Sequence, residues 1–192
     1  MLEEDIIDGA RIEGANLGGF SLKGKEFTRC AFHACDFSGV DLGGSEFTDC
    51  AFHECNFSNT VFTASRFLDP TFIGCKLAGL AFYKADQVAF CITARGCRIV
   101  DCNFSDMKAK KSVVTGCTVS GCDFVNADFE AAVFSDTEFS GCVFHNTNLR
   151  KADFTDARGY EINPQTNDVR KAAFRMPHVI GLLCGLDIKI KD

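Results

Sequence analysis

The stretch from Glu26 to Ser58, EFTRCAFHACDFSGVDLGGSEFTDCAFHECNFS, carries Phe or Leu at every fifth position. The same spacing extends in both directions, from Ile7 to Phe82, and gives 16 apolar centres. It resumes from Ile99 to Phe154 with 12 more, and the two series together hold 17 of the 20 Phe residues. An α-helix repeats every 3.6 residues and an ordinary strand every 2.0, so a period of five fits neither of these two elements.

The position two residues before each centre is the second regular feature. It is mostly small, and ten of the 12 cysteines occupy it: Cys30, Cys35, Cys50, Cys55, Cys75, Cys97, Cys102, Cys117, Cys122 and Cys142. Only Cys91 and Cys184 lie elsewhere. The pattern of each unit is therefore small, polar, apolar, polar, polar.

This pattern resembles the pentapeptide-repeat family, in segments such as Cys35-Asp36-Phe37-Ser38-Gly39 and Ala152-Asp153-Phe154-Thr155-Asp156. The resemblance covers about residues 5–156. It implies an all-β fold, a right-handed quadrilateral parallel β-helix in which each pentad forms one side of a coil. The 28 centres then give seven coils, in which each residue stacks on the one 20 positions later. A single coil cannot bury its inner face, but a stack of coils encloses one continuous core.

The stacking rule accounts for the cysteines. It places Cys30 over Cys50 and Cys102 over Cys122 in ladders of small inward side chains, where a free thiol behaves as a small hydrophobe. We therefore expect structural thiols rather than a disulfide or zinc framework, because their spacing follows the repeat and not a ligand pattern. His33 lies over His53 without a visible third ligand, so no metal site is predicted.

Two places interrupt the pattern. From Phe82 to Ile99 the step is 17 residues, so the register breaks near 83–98, and a kink or short protruding loop between two stacks is expected there. That loop could be functional or only an irregular coil. The segment Asp106–Lys111 keeps the count but adds Lys108, Lys110 and Lys111 to an acidic protein. This basic run could be a contact surface or a solvated edge.

The repeat is predicted to end after residue 156, and residues 157–192 to form a separate C-terminal module. A short helix is expected over Asn167–Phe174, a second over His178–Cys184, and a half-buried strand over Leu186–Ile190, where apolar and charged residues alternate. This ending resembles the C-terminal module of the Qnr, MfpA and McbG-type proteins, and in the Qnr and MfpA types it implies a tail-to-tail homodimer. The dimerisation residues so implied are Phe174, Ile180, Leu182, Leu183, Leu186, Ile188 and Ile190. The alternative is a plain cap that covers the last coil.

Composition and charge limit the classes of function. The net charge is −6, which argues against direct binding to a nucleic-acid backbone. Residues 1–82 hold 12 acidic and 6 basic residues, whereas residues 83–192 hold 14 of each. No apolar run is long enough to span a membrane, and the acidic start is unlike a signal peptide, so a cytoplasmic protein is expected. No catalytic constellation or cofactor motif is visible, so we expect no enzyme and no cofactor.

The resemblance to Qnr and MfpA-type proteins implies a DNA mimic. Such a protein binds DNA gyrase or topoisomerase IV and protects against, or modulates, poisons such as fluoroquinolones. The acidic residues expected to face outward in the N-terminal half, and so to form the partner-binding surface, are Asp36, Asp41, Glu46, Asp49, Glu54 and Asp69. The alternative function is a non-enzymatic scaffold that binds an unrelated protein, because a fold alone does not fix a partner.

Overall fold

A computed structural model describes residues 3–186 and 188–189 and shows a four-sided parallel β-helix, which confirms the predicted fold class. Each strand has three residues with the apolar centre in the middle, because the inward side chain of one pentad is flanked by two outward ones. The described strands are β1 (Ile6–Asp8), β2 (Arg11–Glu13), β3 (Glu26–Thr28), β4 (Ala31–His33), β5 (Glu46–Thr48), β6 (Ala51–His53), β7 (Arg66–Leu68), β8 (Thr71–Ile73), β9 (Lys76–Ala78), β10 (Thr93–Arg95), β11 (Arg98–Val100), β12 (Val113–Thr115), β13 (Thr118–Ser120) and β14 (Glu138–Ser140).

The strands line three faces of the β-helix, and isolated bridges line the fourth. The first face is the sheet β1-β3-β5-β7, and the second is the sheet β2-β4-β6-β8-β10-β12. On the third face the later coils form the sheet β9-β11-β13-β14. The fourth face is held by single bridges such as Asp41 to Val61. Phe27 lies opposite Phe47, which confirms the 20-residue coil.

Stacked phenyl rings fill the interior. All 28 centres are at most 8% exposed. The rings of Phe37 and Phe57 lie 4.4 Å apart and nearly parallel, and Phe27 stacks on Phe47 at 4.8 Å. Burying each such side chain contributes about 1.5–3 kcal/mol, so the Phe columns dominate the stability of the fold.

The register break is a two-residue insertion in one side of one coil. Phe72 pairs with Ala94 and Leu77 with Ile99, an offset of 22 residues instead of 20. The amide of Asp86 still donates to Ser65 with the regular offset, so the extra residues lie between residues 86 and 93. Strands β8 and β10 pair across the break. Of the two expected forms, a kink or a short protruding loop, the insertion corresponds to the second, and backbone pairing continues past it on the adjacent faces.

Phe90 takes the place of the missing centre in this enlarged side. Its side chain is 4% exposed, whereas the neighbouring Val88 is 66% exposed. The Phe90 ring lies 6.1 Å from that of Phe82 in an edge-to-face arrangement. The two additional residues thus bulge outward while a phenyl ring still fills the core.

The β-helical path continues past residue 156. Asp153 forms a bridge to Ala173, and the ring of Phe174 stacks on that of Phe154 at 5.2 Å. The helix predicted over Asn167–Phe174 is therefore wrong. These residues lie 20 positions after residues 147–154 and pair with them, although Tyr160 and Ile162 replace the regular centres in the two preceding sides.

A short helical cap follows the last coil. The second predicted helix is a 3₁₀ helix over His178–Leu183. The predicted strand Leu186–Ile190 is not formed at Leu186, Ile188 or Lys189, because the amide of Ile188 donates back to the carbonyl of Leu186 at 2.7 Å. Asp187 and Ile190 lie outside the described residues.

The cysteine ladders continue through the two-residue insertion, which the sequence analysis did not predict. All 12 thiols are free, as predicted, and nine are buried. The 22-residue offset carries Cys97 above Cys75, so one ladder runs unbroken through Cys35, Cys55, Cys75, Cys97 and Cys117. In residues 3–186 and 188–189, no helix has the length and apolar character needed to cross a membrane.

Candidate interaction surfaces

Three of the six predicted acidic site residues share the first face. Glu46 precedes its buried centre, whereas Asp49 and Asp69 occupy successive corners with φ of 54° and 51°. The corner turns the chain to the next face and requires a left-handed backbone, which Asp tolerates better than most residues. The side chains of Asp49 and Asp69 therefore follow one another along one edge of the rod, about 4.8 Å apart.

An arginine neutralises part of this face. Arg66 bridges Glu46 at 3.1 Å and Asp86 at 2.9 Å. The hydrogen bond to Asp86 raises the pKa of Arg66, and the amide of Val88 together with Arg66 lowers the pKa of Asp86. Among the described residues, Glu26, Asp49 and Asp69 form no ion pair, so they carry the unneutralised charge of this face.

The other three predicted residues lie on different sides of the rod. Asp36 is on the third face, where hydrogen bonds from Ser38 lower its pKa. Asp41 is on the fourth face, 2.7 Å from the Lys23 ammonium, which lowers its pKa. Glu54 is exposed at the corner between the second and third faces. The six residues therefore do not form one contiguous surface.

The sequence reasoning missed the remaining acids of the first face. Asp8, Glu26 and Asp86 lie in the same side of successive coils as Glu46, Asp49 and Asp69. The signal was available, because residues 26, 46 and 86 fall in one outward position once residues are grouped by 20 rather than by chain half.

The C-terminal end carries an exposed apolar surface. Ile180, Leu183, Leu186 and Ile188 are 51%, 37%, 44% and 55% exposed. They line a shallow depression of about 450 Å³, together with Tyr160 and others. Leu182 packs on the core instead, and Phe174 belongs to the last coil, so these two of the predicted dimerisation residues have intramolecular partners. Ile190 lies outside the described residues.

Tyr160 supports this end from beneath. Its ring lies 5.6 Å from that of Phe174 and its side chain is buried, yet its hydroxyl has no hydrogen-bond partner among the residues that the structure describes. Burial raises the pKa of this phenol. The carbonyl of Gly181 accepts a hydrogen bond from Ile162, which fixes the 3₁₀ helix over the last coil.

The basic run is part of a larger basic area on the first face. Lys110 contacts Asp128 at 3.3 Å and Glu130 at 3.0 Å. The hydrogen bond to Glu130 raises the pKa of Lys110. Lys108 and Lys111 form no ion pair within the described part of the chain. They project from the coil directly beyond the two-residue insertion.

The stacked histidines do not form a metal site in the part of the chain that the structure describes. The rings of His33 and His53 are 4.5 Å apart and nearly parallel on the outer surface. No group of three potential ligands comes together among residues 3–186 and 188–189. The pair is therefore a surface stack that results from the 20-residue register.

Sequence and structure comparisons agree on the repeat. A profile described as "Pentapeptide repeat region" matches residues 25–92, and one described as "Pentapeptide repeats (8 copies)" matches residues 122–158. No curated protein matches the chain in sequence. Two trypsin-treated variant structures of QnrB1, a plasmid-mediated fluoroquinolone resistance protein, are similar in fold. Each is 21% identical over 97% of both chains, with TM-scores of 0.64 and 0.66. The five-residue repeat, the 20-residue coil and these matches together establish that the chain belongs to the pentapeptide-repeat family.

Proposed function

We propose that this protein binds DNA gyrase or topoisomerase IV as a DNA mimic and changes the response of the enzyme to fluoroquinolones. The observation that carries the proposal is a rod whose first face is acidic over its N-terminal half. The similarity in fold to QnrB1, over 97% of both chains, supports the same class of role.

The charge density of the acidic surface sets how strong the mimicry can be. From Asp8 to Asp86 the first face has six acidic and two basic outward side chains, a net charge of −4. Four coil rises span about 19 Å, so the face carries about one negative charge every 5 Å. Duplex DNA carries one per about 1.7 Å. The affinity must therefore come from shape and apolar contact as well as charge.

The exposed C-terminal end supports a tail-to-tail homodimer. Ile180, Leu183, Leu186 and Ile188 form a surface that a second copy can cover with the same residues under two-fold symmetry. Such a dimer doubles the length of the rod and presents an acidic region at each outer end. This arrangement matches an extended two-fold symmetric target.

A second candidate function is a scaffold for an unrelated protein. The dispersal of Asp36, Asp41 and Glu54 over other faces favours it, because only half of the predicted acids face one partner. It predicts binding that does not compete with DNA.

The test is a supercoiling and cleavage assay with gyrase, with and without a fluoroquinolone. The proposal predicts that the protein restores supercoiling in the presence of the drug, or inhibits the enzyme directly, at low micromolar concentration. The double substitution Asp49→Lys and Asp69→Lys should abolish the effect. Asp101→Lys is the matched control, because Asp101 is an exposed corner residue with φ of 51° on the third face.

Both outcomes of this assay are informative. Loss of the effect with the double substitution but not with the control supports binding through the first face. The absence of any effect on gyrase and topoisomerase IV contradicts the proposal and leaves the scaffold function.

A further inference from the structure

The first face reverses its charge at the two-residue insertion. On the N-terminal side its outward residues carry a net charge of −4. On the C-terminal side, from Lys108 to Lys171, seven are basic and three acidic, a net charge of +4. The basic residues are Lys108, Lys110, Lys111, Arg150, Lys151, Arg170 and Lys171. We call these two regions the acidic half and the basic half.

Internal ion pairs leave both halves incompletely neutralised. In the basic half Lys110 and Lys151 contact Glu130 at 3.0 and 3.3 Å, and Arg150 contacts Asp168 at 3.8 Å. Lys108, Lys111 and Lys171 form no ion pair within the described residues. In the acidic half Glu26, Asp49 and Asp69 likewise form none. Each half therefore retains charge for an external partner.

We propose that the first face binds the first face of a second copy in an antiparallel arrangement, so that each acidic half meets a basic half. A two-fold axis in the plane of the face and perpendicular to the rod produces this contact. Such an interface is self-complementary, because one chain carries both halves. It is distinct from the contact at the C-terminal end.

The regular stacking of the coils specifies which residues of the two copies meet. A two-fold axis of this kind places each outward column opposite itself and reverses the order of the coils. With the axis midway between Asp86 and Lys108, Asp86 faces Lys108 of the second copy. Arg66 then faces Asp128, and Asp49 faces Lys151. Symmetry repeats each of the three pairs, which gives six intermolecular contacts of opposite charge.

The same register brings like charges together only at its outer ends. Glu26 falls opposite Asp168 and Arg29 opposite Lys171. These positions are at the rim, where solvent screens the repulsion most strongly. The pairs nearest the axis are all of opposite sign.

The charge pattern favours a second copy over a different partner. A uniformly acidic or basic protein that covered the whole face would be attracted by one half and repelled by the other, and only a partner with the reversed order satisfies both halves at once. A single narrow face buries little area, so the association is weak and depends on ionic strength.

The experiment uses sedimentation velocity on the full chain carrying Ile180→Asp and Leu183→Asp, which removes the apolar contact at the C-terminal end. At about 200 µM protein and about 30 mM salt we expect a reversible dimer, and at about 500 mM salt a monomer. If the tail substitutions disturb folding, the salt-dependent part of the association is measured on the wild-type chain.

Two charge-reversal variants supply the specific test. The first carries Lys108→Glu and Lys151→Glu, and the second carries Asp49→Lys and Asp86→Lys. Each alone should weaken self-association at least tenfold, since like charges then meet at two of the three pairs, including the one at the axis. An equimolar mixture should restore it, because every altered residue regains an opposite charge. Asp101→Lys, on the third face, should leave self-association unchanged.

A cross-linking measurement fixes the register. A zero-length carbodiimide reagent applied to mixed ¹⁴N and ¹⁵N protein should join Asp86 of one isotope to Lys108 of the other. A chain that remains monomeric at low salt overturns the proposal and leaves the face to another partner. Failure of the mixed variants to associate also overturns it.

Discussion

The ring of Phe104 stacks on that of Phe82 at a centroid distance of 4.5 Å and an interplanar angle of 11°, although the two residues are 22 positions apart. The column continues through Phe124 and Phe144 at 5.1 and 4.7 Å. The insertion therefore changes the outline of one coil without dividing the core. We expect the coils on both sides of it to unfold together.

Removing a ring from this column tests that continuity. Phe104→Ala should lower the free energy of unfolding by about 3–5 kcal/mol, because a fully buried phenyl ring leaves a cavity between its neighbours. Denaturant unfolding followed by circular dichroism measures the change. Phe20→Ala is the control, because Phe20 is 45% exposed and should cost far less. Two separate unfolding transitions in the wild-type chain would contradict a single core.

One substitution at two positions of the same coil should have opposite effects. Ala34 adopts φ of 50° at a corner, so Ala34→Gly should stabilise the protein by about 0.5–1 kcal/mol by relieving the left-handed strain. Ala31 lies in strand β4 with extended backbone, so Ala31→Gly should destabilise it by a similar amount. Thermal unfolding of both variants measures the two changes in stability. Equal signs would contradict the corner assignment.

The thiols should differ sharply in reactivity. Burial raises the pKa of Cys50 to about 12, whereas Cys184 is exposed. Only the thiolate reacts. With Ellman's reagent in the native state we expect one fast thiol, lost in Cys184→Ser, and slow reaction of the buried ones. In denaturant without reductant all 12 should react. A lower number would reveal disulfides.

The proposed tail-to-tail dimer depends on apolar contact at the C-terminal end. The double substitution Ile180→Asp and Leu183→Asp should convert the dimer to a monomer, because each exposed side chain would bring a charge into the interface. Light scattering at about 500 mM salt measures the mass with charge contacts screened. Val61→Asp, on the fourth face, is the matched control, since Val61 is 41% exposed. A wild-type monomer under these conditions would contradict the dimer.

The sequence predicted the regular part of the fold because each pentad carries its own signal. Phe27 and Phe47 show the same five-residue context, and their pairing follows from counting. The coil after Phe154 escaped prediction because Gly159 and Pro164 stand where centres are due. There Tyr160 and Ile162 supply the apolar contacts instead. The prediction of the terminal strand was wrong for another reason. Alternation of apolar and charged residues at Leu186 and Ile188 does not supply a neighbouring strand with which they could pair.

The candidate surfaces were harder to predict than the core. Residues that share a face are 20 apart, so Glu26, Glu46 and Asp86 look unrelated along the chain. Counting charge by chain half found the excess of acid but assigned Asp36 and Asp41 to the same surface as Asp49. The 22-residue offset also had to be known before Lys108 could be placed on the continuation of the acidic face.

The most direct test of the proposed function is equilibrium binding of the labelled protein to purified gyrase, measured by fluorescence anisotropy with increasing linear duplex DNA. A DNA mimic should bind with a micromolar dissociation constant, weaken as salt rises, and be displaced by the duplex. Asp49→Lys with Asp69→Lys should lower the affinity at least tenfold, and Asp101→Lys should not. No binding to gyrase or topoisomerase IV, or binding that DNA does not displace, would contradict the account.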